Sequence, residues 1–231
     1  MAANPICIAL DTPDLERAAA LARMLSGEAG YLKIGLEFFY AHGATGYGRI
    51  AAAGLPIFLD LKLHDIPNTV ASALSALMAL RPAPAIVNVH AGGGFAMMEA
   101  AAKAVAGRAK LIAVTVLTSL ADDDLWQVGF ETAKDAAAHA RAMADLARRA
   151  GLDGVVCSPH DLHGIRRDQG PQFLTVVPAI RPADAALQDQ KRIATPRAAR
   201  EAGADILVIG RAITGAADPL AACRAIAASL P

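Results

Sequence analysis

The chain has 231 residues, 55% of them hydrophobic, and its 22 basic and 22 acidic side chains cancel to a formal net charge of zero. That length can bury a sizeable core in one large α/β domain or two small ones, and the balanced charge with 4% aromatics excludes an electrostatic footprint for nucleic acid or an anionic membrane. No apolar run reaches spanning length, MAANPICIAL lacks a basic leader with a cleavage site, and Cys7, Cys157 and Cys223 show no CxxC spacing, so composition points to a soluble cytoplasmic protein with reduced, buried thiols.

Along the chain, short β-rich apolar runs alternate with longer Ala/Leu/Arg segments. PICIAL (5–10) comes first, followed by Thr12-Pro13 as a helix N-cap with proline at the first helical position, and by Gly27 as a helix end. YLKIGL (31–36) is the second run; Gly54 closes the next helix before PIFLDLK (56–62). TVASALSALMAL then places Val70, Leu74, Leu77 and Met78 on one helical face. AIVNVH (85–90) and LIAVTVL (111–117) follow. Gly151 precedes DGVVC (153–157), Ser158-Pro159 opens the helix after it, and LTVVPAI (174–180) is the seventh run. Thr195-Pro196 and Gly203 bracket a further helix before DILVIG (205–210), and Asp218-Pro219 opens the last. Near-continuous apolarity in all eight runs is what parallel strands covered on both faces require. With no linker or break in composition, residues 1–231 read as a single α/β domain, a (β/α)8 TIM barrel. A doubly wound open sheet is the alternative, because strand order is not visible in sequence.

The third run is unusual. FLDLKLHDIPNT (58–69) carries Asp60, Lys62 and Asp65 where a core strand belongs. Alternation puts Asp60 and Lys62 on one face, with Leu59, Leu61 and Leu63 packed beneath helices on the other. In a barrel the two charges face the axis near the C-terminal end of the strand, where barrel enzymes work. Asp65 lies just beyond, on backbone kept extended by Ile66-Pro67. Lys33 and Asp11 end neighbouring runs and converge on the same place. Alternating Lys33, Asp60, Lys62 and Asp65 keep one another ionised. A buried ion pair is a poor stabiliser, so four charges at strand ends point to chemistry.

Two places suggest a phosphate. Gly210 and Arg211 open the loop after the eighth strand, where barrels bind phosphate with backbone N–H groups. The loop after the seventh strand, RPADAALQDQKRIA (181–194), is long enough for a lid and offers Arg181 and Gln190. Lys191 and Arg192 read as solvated charges. His160 and His163 lack a third metal ligand and read as polar surface. HAGGGF (90–95) could approach a ligand but lacks dinucleotide spacing. His64 reads as structural, His90 has no assigned role, and Trp126 is expected to pack a loop.

DLKLHDIPNT, with ALD (9–11), LKIG (32–35), VNVHA (87–91), AVTVLTS (113–119), GVVCSP (154–159), ATP (194–196) and PAIRP…DQKR…VIGR, closely resembles orotidine 5′-phosphate decarboxylases. The resemblance runs nearly end to end. The DxKxxD element alone is shared with barrels that decarboxylate 3-keto-gulonate 6-phosphate or condense formaldehyde. The family usually has glycine where this chain has Ala179.

The resemblance implies decarboxylation of orotidine 5′-monophosphate to uridine 5′-monophosphate without metal or organic cofactor. It implies Lys62 as proton donor to C6, Asp60 beside the substrate carboxylate, and Lys33 holding Asp60 and, with Asp11, contacting ribose. Substrate binding would involve the whole run Asp60, Leu61, Lys62, Leu63, His64, Asp65, Ile66, Pro67, Asn68 and Thr69. Thr118 would lie near the polar edge of the base, and Arg181, Gln190, Gly210 and Arg211 would hold the phosphate and the lid. It further implies an obligate homodimer in which Asp65, Ile66 and Thr69 reach the neighbouring site. A metal-dependent sugar-phosphate decarboxylase or lyase, and a catalytically silent barrel binding a phosphorylated ligand, are the alternatives.

Overall fold

The computed structural model describes residues 4–131, 133–181 and 194–231. Each apolar run forms a strand: β1 Ile6–Ala9, β2 Tyr31–Ile34, β3 Ile57–Leu63, β4 Ile86–His90, β5 Lys110–Val114, β6 Gly154–Val156, β7 Leu174–Val177 and β8 Ile206–Ile209. All pair in parallel with their sequence neighbours, and β8 returns to β1 through Ile8↔Ile209 to close the barrel. The helices are α1 Leu15–Met24, α2 Leu36–Ala51, α3 Pro67–Leu77, α4 Gly94–Val105, α5 Asp122–Leu125, α6 Ala136–Arg149, α7 Leu162–Gln169, α8 Pro196–Glu201, α9 Arg211–Thr214 and α10 Pro219–Ala228.

Two cores explain why the strands are apolar throughout. Cys7, Ala9, Phe58, Ile86, Val114, Val176 and Val208 fill the barrel interior. Their chain neighbours, among them Ile6, Ile8, Ile57, Leu59 and Val87, pack outward against the helices. Fully burying one such Val, Leu or Ile is worth about 1.5–3 kcal/mol. Val70 and Leu74 of α3 and its C-cap Met78 are buried, and Leu77 packs partly against the same layer, as the period demands.

Three of the four expected N-caps form, at Ser158, Thr195 and Asp218. The first is displaced. Asp14 caps α1 by accepting from Arg17 N at 3.0 Å, while Thr12 Oγ1 accepts from Asp14 N at 3.2 Å in the preceding turn. Both side chains suit a cap, and the chain needs two more residues to leave the barrel rim before the helix begins. Trp126 differs more: it is 62% exposed.

Candidate active site

The charged residues sit at the C-terminal ends of adjacent strands, directly above the apolar plug. In register, Ala9 lies beside Lys33 and Lys33 beside Phe58. Asp60 is the next inward position on β3, and Asp11 follows β1. Lys62 does not continue the simple alternation. Between Leu59 and Leu63, β3 advances while its partner moves only from Val87 to Val89, so the pairing shifts. Lys62 itself has φ of 49°, in the left-handed region. Its side chain still turns towards Asp60, but through a bulge rather than a flat strand. As a consequence Leu61 and Leu63 are only partly buried, unlike Leu59.

A chain of opposite charges results. Lys33 Nζ lies 2.9 Å from Asp11 Oδ1 and 3.3 Å from Asp60 Oδ2, and Lys62 Nζ lies 2.7 Å from Asp60 Oδ1. A Cβ at Gly35 would stand 2.7 Å from Asp11 Oδ1 and 3.0 Å from Lys33 Nζ, so a glycine there lets the first pair close. Burial works to raise Asp60, but the Lys33 and Lys62 charges, with hydrogen bonds from Lys62 and Asn88, outweigh it and hold the carboxyl below the usual range. Burial likewise works to lower Lys33, and Asp60 and Asp11 reverse it. The signs set the pH window. The Asp60 contribution to stability is present above its unfolded pKa and lost as pH falls through its depressed value. The Lys33 contribution is present below its unfolded pKa and lost as pH rises through its elevated value. Asp60 and Lys33 therefore both stay charged across the neutral range.

These groups open into a cavity of about 630 Å³, also lined by Glu37, Thr118, Ala179, Arg181, Gly210 and Arg211. Thus Asp11, Lys33, Asp60, Lys62, Thr118, Arg181, Gly210 and Arg211 are brought together at or beyond the C-terminal ends of six strands. Gln190, Lys191 and Arg192 lie outside the described residues. Asp65 does not join the charge chain of its own subunit; its Oδ1 accepts from Ile66 N at 2.6 Å, and Asp11 extends the chain at the other end, beside Lys33. His64, Asp65, Ile66, Pro67, Asn68 and Thr69 are all exposed and do not line the cavity of their own chain.

Two features escaped sequence reasoning. Asn88, on β4, donates from Nδ2 to Asp60 Oδ1 at 2.7 Å and accepts the Lys62 N–H on Oδ1 at 2.8 Å. An amide inside an otherwise apolar run was the available signal. The second is a stack of His64 on His90, with ring centroids 5.3 Å apart and planes at 19°. Burial, His64 and Lys62 hold His90 below the usual histidine range. The glycine-rich turn approaches this pair: a Cβ on Gly93 would meet His64 Cδ2 at 3.3 Å and Met97 Sδ at 2.2 Å. His160 and His163 are exposed, and among the described residues no three His, Cys, Asp or Glu side chains gather as a metal site.

The model of the orotidine 5′-phosphate decarboxylase / HUMPS family matches residues 4–226. The chain belongs to this family. An orotidine 5′-phosphate decarboxylase of Novosphingobium aromaticivorans is 56% identical over 98% of this chain and 99% of its own length. One from Rhodospirillum rubrum is 50% identical over 100% and 95% of the two chains. The crystal structure of orotidine 5′-phosphate decarboxylase from Lactobacillus acidophilus superposes with a TM-score of 0.81 at 36% identity, covering 98% of each chain. A crystal structure from Geobacillus kaustophilus, described as an uncharacterized conserved protein, gives 0.83 at 35% identity over 98% and 100% of the chains.

Within this decarboxylase family, the departure at Ala179 has a structural counterpart. Ala179 has φ of 63°, a conformation that glycine adopts without penalty and alanine does not. It is held by a hydrogen bond from Ala194 N to Ala179 O at 3.3 Å and by the Ile180↔Ala194 bridge beside it. The Cβ is accommodated and the residue lines the cavity, so the alanine leaves the decarboxylase site open.

Proposed function

We propose that the chain catalyses decarboxylation of orotidine 5′-monophosphate to uridine 5′-monophosphate, the last step of de novo pyrimidine nucleotide synthesis, with no cofactor. The observation that carries this reading is the Lys62 ammonium held 2.7 Å from a buried aspartate at the mouth of the cavity. As the bond between C6 and the carboxylate breaks, carbon dioxide leaves and the electron pair remains on C6. Lys62 Nζ transfers a proton to that carbon and is itself reprotonated from solvent. A fixed cation aimed at C6 stabilises charge that is absent in the ground state, the condition for raising kcat. Asp60, kept ionised by Lys33, Lys62 and Asn88, places negative charge where the substrate carboxylate leaves. Lys33 and Asp11 serve the ribose, and Thr118 the polar edge of the base. Gln190 joins Arg181, Gly210 and Arg211 at the phosphate.

The decisive assay uses chelator-treated protein and orotidine 5′-monophosphate, following the ultraviolet change as product forms. Turnover is expected to survive exhaustive chelation, because every carboxylate of the cluster already faces a lysine. Loss of turnover with restoration by magnesium would favour the sugar-phosphate chemistry.

Arg211 gives a second test. Arg211→Ala is expected to lower kcat/KM on the phosphorylated substrate by a factor of at least about 10, the value of one charge-assisted contact of about 1.5–3 kcal/mol. The slow reaction of the phosphate-free nucleoside should scarcely change. Equal losses on both substrates would assign Arg211 to structure.

The working form is a cytoplasmic homodimer in which Asp65, Ile66 and Thr69 enter the site of the partner. Its support is the exposure of that whole segment, with Ile66 67% and Phe95 43% exposed at the starts of the packed helices α3 and α4. Lys62→Ala and Asp65→Ala homodimers should each be nearly inactive, while re-equilibrated mixtures regain activity through dimers with one intact site. No gain on mixing would place Asp65 in its own subunit's site.

A further inference from the structure

Asn88 is a polar residue at the site on β4, a strand that contributes no charge to the cluster. It is 1% exposed and serves two partners at once, the Lys62 N–H at 2.8 Å and Asp60 Oδ1 at 2.7 Å. Its orientation follows from chemistry. A backbone N–H only donates and an ionised carboxylate only accepts, so the amide oxygen must face Lys62 and the nitrogen Asp60. The Lys62 N–H needs this acceptor because the register shift between Leu59 and Leu63 takes it out of ordinary pairing with β4. The same shift leaves Lys62 at φ of 49°, a conformation that side chains with a Cβ hold only where their surroundings impose it.

We propose that Asn88 is the positioning residue of the decarboxylation, a side-chain clamp that holds the Lys62 backbone in its left-handed bulge and the Asp60 carboxylate beneath the Lys62 ammonium. This inference rests on the reaction assigned to the site above. Without the amide, the Lys62 N–H is buried without its acceptor and Asp60 loses one of its donors. The backbone then relaxes towards the extended region, and Nζ moves away from the line to C6. Asn88 touches no reacting atom; its effect passes through the two residues it fixes.

Two variants test this. Asn88→Ala is expected to lower kcat about 100-fold, the scale of a misplacement of about 1 Å at a reacting group, with KM within about threefold of wild type. Asn88→Asp supplies a readout that a purely structural role would not move. Ionised, the introduced carboxylate still accepts from Lys62 but confronts Asp60 as a second anion. Protonated, it restores the original pattern, its hydroxyl donating to Asp60 and its carbonyl accepting from Lys62. The ratio of its kcat to that of wild type should therefore rise as the pH falls from about 8 to about 5. Asp60 and Lys62 on β3, Lys33 on β2, Asp11 after β1, and the His64–His90 pair also face this space. They are present in both proteins, so the ratio removes their own titration.

Wild-type turnover of orotidine 5′-monophosphate is the reference. An inactive wild type refutes the assigned reaction and this inference with it. An active wild type with Asn88→Ala folded and within about threefold in kcat refutes the role of Asn88 alone. If Asn88→Ala fails to fold, judged by circular dichroism, the Asn88→Asp ratio decides: a rise towards acid supports the clamp, and a flat ratio overturns it.

Discussion

Lys62→Ala is expected to lower kcat by at least about 10⁴-fold. Removing one preorganised electrostatic contact costs about 10²–10³ in rate, and removing the proton donor a further factor of about 10²–10⁴. The two losses fall on the same step, so even the lower bounds multiply to that figure, about 5.5 kcal/mol of transition-state stabilisation. The fold should persist. Asp60 keeps Lys33 at 3.3 Å and Asn88 at 2.7 Å, so the truncation does not leave a buried carboxylate without partners. Saturating-substrate turnover followed by ultraviolet absorbance, together with a thermal melt, separates the two effects. A variant within about tenfold of wild-type kcat, a loss of only about 1.4 kcal/mol, would remove Lys62 from the chemistry.

Arg166→Ala is expected to destabilise the fold by about 1.5–3 kcal/mol, the range for hydrogen bonds to a charged group, because its ion pair with Asp205 is half-buried. Arg166, on α7, holds the end of the barrel opposite the cavity. Its Nε donates to Gly203 O at 2.8 Å, and its Nη1 to Phe173 O at 2.7 Å, and more weakly to Gly170 O at 3.3 Å and Pro171 O at 3.4 Å. Its Nη2 donates to Thr175 Oγ1 at 2.6 Å and pairs with Asp205, and both charged side chains are only 17% exposed. One guanidinium thus ties α7 to the starts of β7 and β8. Removing it takes the charge partner from Asp205, which keeps hydrogen bonds from Thr175 N at 2.7 Å and Thr175 Oγ1 at 3.2 Å, and takes a donor from several carbonyls at once. Urea denaturation should show a lower midpoint at an unchanged slope. The kcat of the molecules still folded should match wild type, since no atom of Arg166 lines the cavity. A loss under about 1 kcal/mol, the scale of an exposed pair, would show the network to be dispensable.

Much of the site was legible before any coordinates. Charges inside apolar runs are costly to bury, so Asp60, Lys62 and Lys33 stand out from their surroundings in the sequence alone, and the barrel's strand order brings them together. Arg211 was legible for a different reason: its place after the eighth run puts it on the rim where phosphates bind. Within its own subunit Asp65 stays out of the charge chain, its carboxylate turned to Ile66 N, while Asp11, expected to converge with Lys33, pairs with it from just beyond β1. The displaced N-cap at Asp14 and the exposed Trp126 were misjudged because two equivalent capping residues, or one aromatic, carry no local sign of how far the chain must travel at the rim.

By itself, the sequence determined the eight strands, their parallel pairing and the Lys33, Asp60 and Lys62 core of the charged cluster. Continuous apolar runs separated by capped helical segments admit few other packings, and unpaired charges do not survive in such runs. The tertiary structure decided the bulge in β3, the left-handed backbone of Lys62 and the role of Asn88. A register shift depends on how two neighbouring strands pair once folded, and a φ of 49° at a lysine has no signature in the residues around it. Asn88 sits 26 residues from the N–H that it accepts, and only the shifted pairing of β3 with β4 brings the two to 2.8 Å.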